Sequence, residues 1–356
     1  MPNVRLSGTV IGPEDPSRST RARLLFHLFN AGWDIYNSNG DQKITLTNIE
    51  KKIIESQAFV FTPGASLEDM FKAISIFVGY QTLDKHLADK PTVILNDDGS
   101  WDIVFQLLDH LNALGTIKQD HRDYLLVADS AEGVTEALRA FRDKGLPPID
   151  REPLADPPVL PDDANQPAPA DLLANVCVFC SATIEKEDYL ADGEALGREL
   201  AESNLGCVSG AGKSGIMGAV VRGSVSAGGW TAGSNVPHII RLEGLPEGLS
   251  CFWLRDDIYT RMEVMIENSD AFVIFPGGAG SVQELLALMI FHQQGNDLMK
   301  NKPVVIFNRR DENGTHFWAP LVDLLERYCD PSHFTVVDEL SEIVPTIKAK
   351  LKGKEL

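Results

Sequence analysis

Four short runs in the second half of the chain are almost wholly apolar: NVCVFC (175–180), GCVS (206–209), AFVIF (271–275) and PVVIF (303–307). Runs of this length without a polar face are what parallel strands covered on both sides look like. Between and after them lie stretches with helical spacing of apolar positions, over 188–203, 215–227, 257–268, 281–294 and 317–328. Strand-helix alternation predicts an α/β fold with a doubly wound, Rossmann-like parallel sheet. Its ligands should bind beyond the carboxyl ends of the strands.

The first half repeats the pattern. The segment IIESQAFVFTPGAS (53–66) parallels MIENSDAFVIFPGGAGS (265–281), and each is followed by a helix ending in an Ile-Phe pair, Ile76-Phe77 and Ile290-Phe291. Each half then reaches a Lys-Pro strand, KPTVIL (90–95) and KPVVIF (302–307). A repeat of this length implies a tandem duplication of one α/β unit rather than a solenoid. Between Pro147 and Ala170 lie eight of the chain's twenty prolines, without apolar periodicity. Proline removes backbone donors and favours extended backbone, so this stretch is expected to be an exposed, semi-rigid linker. The expected organisation is two tandem Rossmann-like domains: residues 1–146 a degenerate copy, 147–170 the linker, and 171–356 the domain with the site.

Charge narrows the class of partner. A formal net charge of −19 over 356 residues leaves no basic excess for nucleic acid or an anionic membrane. A small phosphorylated ligand needs only local donors. Neither a leader pattern nor an apolar stretch near membrane-spanning length is evident, and the expected location is the cytoplasm. Five cysteines show no disulfide spacing. Cys177 and Cys180 form a CxxC, but within a strand they should face opposite ways, which predicts buried structural thiols and no metal.

Two glycine-rich loops follow strands. SGAGKSG (209–215) satisfies G-x-G-x-x-G through Gly210, Gly212 and Gly215, while Cys207 stands where a Walker A loop needs its first glycine. From Lys213 to Arg241 there is no acid to hold the ribose of a dinucleotide, which weakens an NAD(P) oxidoreductase reading. PGGAGS (276–281) brings glycines next to a helix start, where free N–H groups can bind a phosphate. Ser281 and Glu284 form S-x-x-E, which is also the capping-box pattern. Arg261 sits on the edge of an apolar stripe formed by Ile258, Met262, Met265 and Ile266. A cation there must find an anion or reach solvent, and its helix leads into the strand that ends at PGGAGS.

These residues carry a resemblance. Arg261, fourteen intervening residues and PGGAGSVQE, preceded by SGAGKSGIMG, resemble the Lonely guy (LOG) family of cytokinin-activating nucleotide phosphoribohydrolases. FPGGAGSVQELL and Arg261-Met262-Glu263 are most similar to its larger bacterial 5′-nucleotide nucleosidases. The resemblance covers about 175–330. It implies hydrolysis of the N-glycosidic bond of a nucleoside 5′-monophosphate, of AMP or cytokinin riboside type, to free base and ribose 5-phosphate. It implies Arg261 and Glu284 as the catalytic pair. Gly277, Gly278, Gly280 and Ser281 would hold the phosphate, and Ser181, Gly210 and Gly212 would line the nucleotide. No cofactor is implied, and a homo-oligomer is expected. The alternative is a nucleotide or phosphorylated-cofactor carrier without turnover. In the first half, counting places Asn48 opposite Arg261 and Met70 opposite Glu284, so that half is expected to lack the site.

Overall fold

The computed structural model describes residues 6–11, 18–37, 53–156, 160 and 164–352. Asn48 lies outside them. The chain divides into two units, Met1–Asp150 and Arg151–Leu356.

In the first unit the elements run β1 (Leu6–Ile11), α1 (Arg18–Asn30), β2 (Trp33–Asn37), β3 (Phe59–Phe61), α2 (Leu67–Gln81), β4 (Thr92–Leu95), α3 (Asp102–Ala113), β5 (Leu125–Ala128) and α4 (Ala131–Lys144). The strands form one parallel sheet in the order β2-β1-β3-β4-β5. The second unit contains β6 (Ala174–Phe179), α5 (Glu187–Glu202), β7 (Leu205–Ser209), α6 (Gly215–Ser226), β8 (Thr231–Asn235), α7 (Pro237–Glu243) and β9 (Cys251–Leu254). It continues with α8 (Ile258–Glu267), β10 (Ala271–Ile274), α9 (Ala279–Gln293), β11 (Val304–Phe307), α10 (Ala319–Tyr328), β12 (Thr335–Val337) and α11 (Ile343–Lys352). Its sheet is also parallel, in the order β12-β11-β10-β6-β7-β8-β9. Both units are therefore α/β with Rossmann-like parallel sheets.

The same local bonds recur in the two units. Lys90 Nζ donates to the Ile53 carbonyl at 2.5 Å, and Lys302 Nζ to the Ile266 carbonyl at 2.7 Å. Asn96 Oδ1 accepts from the Trp101 amide at 3.0 Å, as Asn308 Oδ1 does from Trp318 at 2.7 Å. These are the Lys-Pro strand and the turn that follows it, each time tying one strand to its neighbouring helix.

Strand β8 has no apolar run to mark it. β8 reads Thr-Ala-Gly-Ser-Asn, yet all five residues are buried. Small side chains are required there, because a Cβ on Gly233 would stand 2.7 Å from that of Ala211.

The described residues of the Pro-rich segment are mostly exposed, and part of the segment is bonded to the second sheet. Asn165 bridges Cys251 in antiparallel sense, Gln166 N donates to the Ser250 carbonyl at 2.8 Å, and Phe252 N donates to that of Ala164 at 3.0 Å. β9 is the edge of its sheet, and an edge strand offers unpaired backbone groups to any extended segment that can reach it. Proline-rich chain is extended already.

Helix α9 explains why the site is deep. From Ser281 to Phe291 every residue is buried, polar ones included. A helix apolar all round is covered on every side.

Candidate active site

Four strand ends contribute. β6 ends at Phe179 and leads to Ser181, β7 leads into the Gly210–Gly215 loop, β8 ends at Asn235, and β10 runs into PGGAGS and α9. Arg261 ties three of them together. On α8, fixed at its start by the Asp257 cap, its Nε donates to the Ser234 carbonyl at 2.9 Å and its Nη2 to the Gly210 carbonyl at 3.2 Å. Its Nη1 lies 3.6 Å from Glu284 Oε1. Arg261 is 8% exposed and Glu284 6%. The cation on the edge of an apolar stripe has found its anion.

The guanidinium also explains Gly210, whose Cβ would stand 2.0 Å from Arg261 Nη2. Gly212 has Glu243 Oε2 at 3.0 Å from the same kind of position. Ala211 holds a positive φ of 54°, an unusual conformation for a residue with a side chain. Ser181 is turned inward: its Oγ accepts from the Thr183 and Ile184 amides, and its amide donates to the Pro276 carbonyl. That last bond joins the β6 loop to PGGAGS.

The capping-box reading of Ser281 and Glu284 is overturned. α9 begins two residues before Ser281, its N-cap is Gly278, and no side chain caps it. Ser281 therefore lies within the first turn and Glu284 beyond it, too far along the helix to reach back to the cap. Among the described residues, no acceptor takes the amide hydrogens of Gly277 to Ser281. Nothing lies within 4 Å of a Cβ built on Gly280, so that part of the turn faces open space.

The matching turn of the first unit is occupied by its own chain. The Gly64 amide donates to Asp98 Oδ2 and Ser100 Oγ, the Ala65 amide to Ser100 Oγ, and Ser66 and Asp69 close a capping box. α2 and α9 are both 15 residues long, with caps at Ser66 and Gly278. Matching the caps puts Lys72 opposite Glu284 and corrects the expected Met70. Counting back from the Ile-Phe pairs misplaces the register, because those pairs occupy different points along the two helices.

Burial pushes the Glu284 carboxyl up to about 7, the nearby Arg261 lowers it, and the Glu243 carboxylate adds to the rise. Glu243 lies two positions beyond the acid-free stretch that ends at Arg241. All five cysteines are buried and free, and burial raises the thiols of Cys177 and Cys180.

With this geometry in place, comparison with known proteins is informative. A family model described as possible lysine decarboxylase matches residues 34–138 and 217–349. The chain belongs to that family, the LOG family. It is similar to the cytokinin riboside 5′-monophosphate phosphoribohydrolase of Rhodococcoides fascians, 30% identical over 156 residues, which are 43% of this chain and 74% of that protein. A probable enzyme of the same name from Oryza sativa subsp. japonica is 34% identical over 37% of this chain and 57% of its own length. One from Arabidopsis thaliana is 33% identical over 38% of this chain and 66% of its own. The match to these LOG-family plant relatives thus spans less than two thirds of their length. Among solved structures, the molybdenum cofactor carrier protein of Chlamydomonas reinhardtii aligns at 18% identity with a TM-score of 0.39, covering 51% of this chain and 99% of that one. Among the described residues no helix is long and apolar enough to cross a membrane.

Proposed function

We propose that this LOG-family chain hydrolyses the N-glycosidic bond of a nucleoside 5′-monophosphate, of the AMP or cytokinin riboside monophosphate type, to free base and ribose 5-phosphate. The observation that carries the reading is the buried Arg261–Glu284 pair beside a helix start whose amide hydrogens find no acceptor among the described residues. The helix N-terminus at Gly277, Gly278, Gly280 and Ser281 takes the 5′-phosphate. Holding the phosphate at one end fixes the ribose at the other, so binding energy is spent on position.

The C1′–N bond breaks, its electron pair leaves with the base, and a water oxygen adds to C1′. Glu284 accepts the water's proton, and its charge stabilises the cationic ribosyl transition state. A carboxyl near 7 is a stronger base than an ordinary glutamate and is about half ionised at neutral pH. Arg261 orients that carboxylate and keeps part of its charge in place. Ser181, Gly210 and Gly212 line the nucleotide. No cofactor enters the reading. We also propose that the two units arose by duplication, that the first does no chemistry, and that the protein works in the cytoplasm as a homo-oligomer.

Incubating the full-length protein with AMP and with a cytokinin riboside monophosphate, followed by chromatography, tests this. Free base and ribose 5-phosphate in equal amounts are expected. Binding of nucleotide with no release of base would leave a carrier.

A further inference from the structure

Glu243 ends α7, where Gly244 at φ 69° turns the chain away. Its side chain is 12% exposed and paired through Oε1 with Arg151 Nη2 at 2.8 Å. Its other oxygen, Oε2, faces Gly212 in the first glycine loop, 3.0 Å from where a Cβ would stand. The pairing is reinforced two residues before Glu243, where the Leu154 amide donates to the Arg241 carbonyl at 2.7 Å. A carboxylate with one oxygen held by arginine and the other directed at a nucleotide-lining loop is a preoriented acceptor.

We propose that Glu243 is the specificity-determining acceptor for the ribose hydroxyls of the nucleotide, and that Arg151 positions it. The inference rests on the phosphoribohydrolase reading, because that reading puts C1′ at Glu284. Glu243 is close enough to Glu284 for its charge to be felt there. The donors of a nucleotide nearest C1′ are the 2′- and 3′-hydroxyls. A carboxylate accepts hydrogen bonds from hydroxyls and repels phosphate, which sends the phosphate to the open amides of PGGAGS. A side chain at Gly212 would press on Oε2, its Cβ only 3.0 Å away. An acid for the ribose, absent between Lys213 and Arg241, is thereby supplied from the end of the next helix rather than from the end of the next strand.

The test is equilibrium binding to the full-length protein carrying Glu284→Gln, which keeps the nucleotides uncleaved. AMP should bind about 10-fold or more tighter than 2′-deoxy-AMP or 3′-deoxy-AMP, as expected for a charge-assisted bond to a hydroxyl. Adding Glu243→Gln should remove most of that preference by weakening AMP alone, while the deoxynucleotides change by about twofold at most. Arg151→Met should lower the preference in part, since it loosens the carboxylate without removing it. Equal weakening of all three nucleotides by Glu243→Gln, or an intact preference, overturns the role. Should Glu243→Gln not fold, an unchanged preference in Arg151→Met overturns it instead. If the unmodified protein releases base from AMP while the preference ignores Glu243, only this inference falls. If AMP neither binds nor is cleaved, the phosphoribohydrolase reading falls with it.

Discussion

Glu284 holds its proton to about 7 because it is buried in a helix covered on all sides, with only Arg261 to offset the loss of water. A general base must be ionised, so kcat/KM for AMP should rise with pH and level off above about 7. Glu284→Gln should bind nucleotide but turn over at least about 10²-fold more slowly, as general-base loss predicts. Near-normal release of base by this variant would remove Glu284 from the chemistry. The same carboxyl has a stability signature. It is raised from 4.5 in the unfolded chain to about 7 when folded, so its contribution to stability is complete below about 4.5 and is lost as pH rises through 7. The melting temperature of the unmodified protein, minus that of Glu284→Gln, should fall across this window by on the order of 5 °C. A flat difference would mean the carboxyl is not perturbed. At Gly210 an added methyl would fall on Arg261 Nη2. Gly210→Ala should therefore cost activity about as much as Arg261→Ala, and normal AMP cleavage by Gly210→Ala would contradict the packing.

Among the elements, the β10-to-α9 turn carries the structural contrast on which the proposed function rests. Its open amides in the second unit correspond to amides already taken by Asp98, Ser100 and Asp69 in the first. An anion cannot replace carboxylates that are covalently part of the fold, so the first unit should not bind phosphate. Gly280 offers a direct test. Nothing in the protein opposes a Cβ there, and alanine gains about 0.5–1 kcal/mol over glycine in a helix. Gly280→Ala should melt no lower than the parent yet bind AMP more weakly, because on the proposed reading the space it fills is the phosphate's. Unchanged AMP affinity would move the phosphate elsewhere. The glycines and the helix were legible in the sequence because composition and period mark them locally. The start of α9 was not: Ser281 and Glu284 match a capping box, but the helix begins at Ala279, where PGGAGS turns under Ser181.

For the whole molecule, the segment between the two sheets matters more than its composition suggests. A chain beginning at residue 171 loses Arg151, the Asn165 bridge to Cys251 and the Gln166 bonds. It should melt lower than a chain beginning at Arg151 and cleave AMP more slowly, since Glu243 is then unpaired and the edge of β9 is bare. Equal melting temperatures and equal rates would make the segment a mere tether. The sequence by itself determined the α/β class, the repeat, the central strands and the Arg261–Glu284 candidates, because period, apolar runs and motif spacing are properties of neighbouring residues. It could not reach β8, whose small, largely polar residues form a buried strand between β7 and β9, nor the cap positions that set Lys72 opposite Glu284. Nor could it reach Glu243, whose place beside Gly212 depends on how α7 folds back and on an arginine 92 positions away. Those features arise where distant segments meet, and distance along the chain carries no record of which carboxylate the fold will bring to which loop.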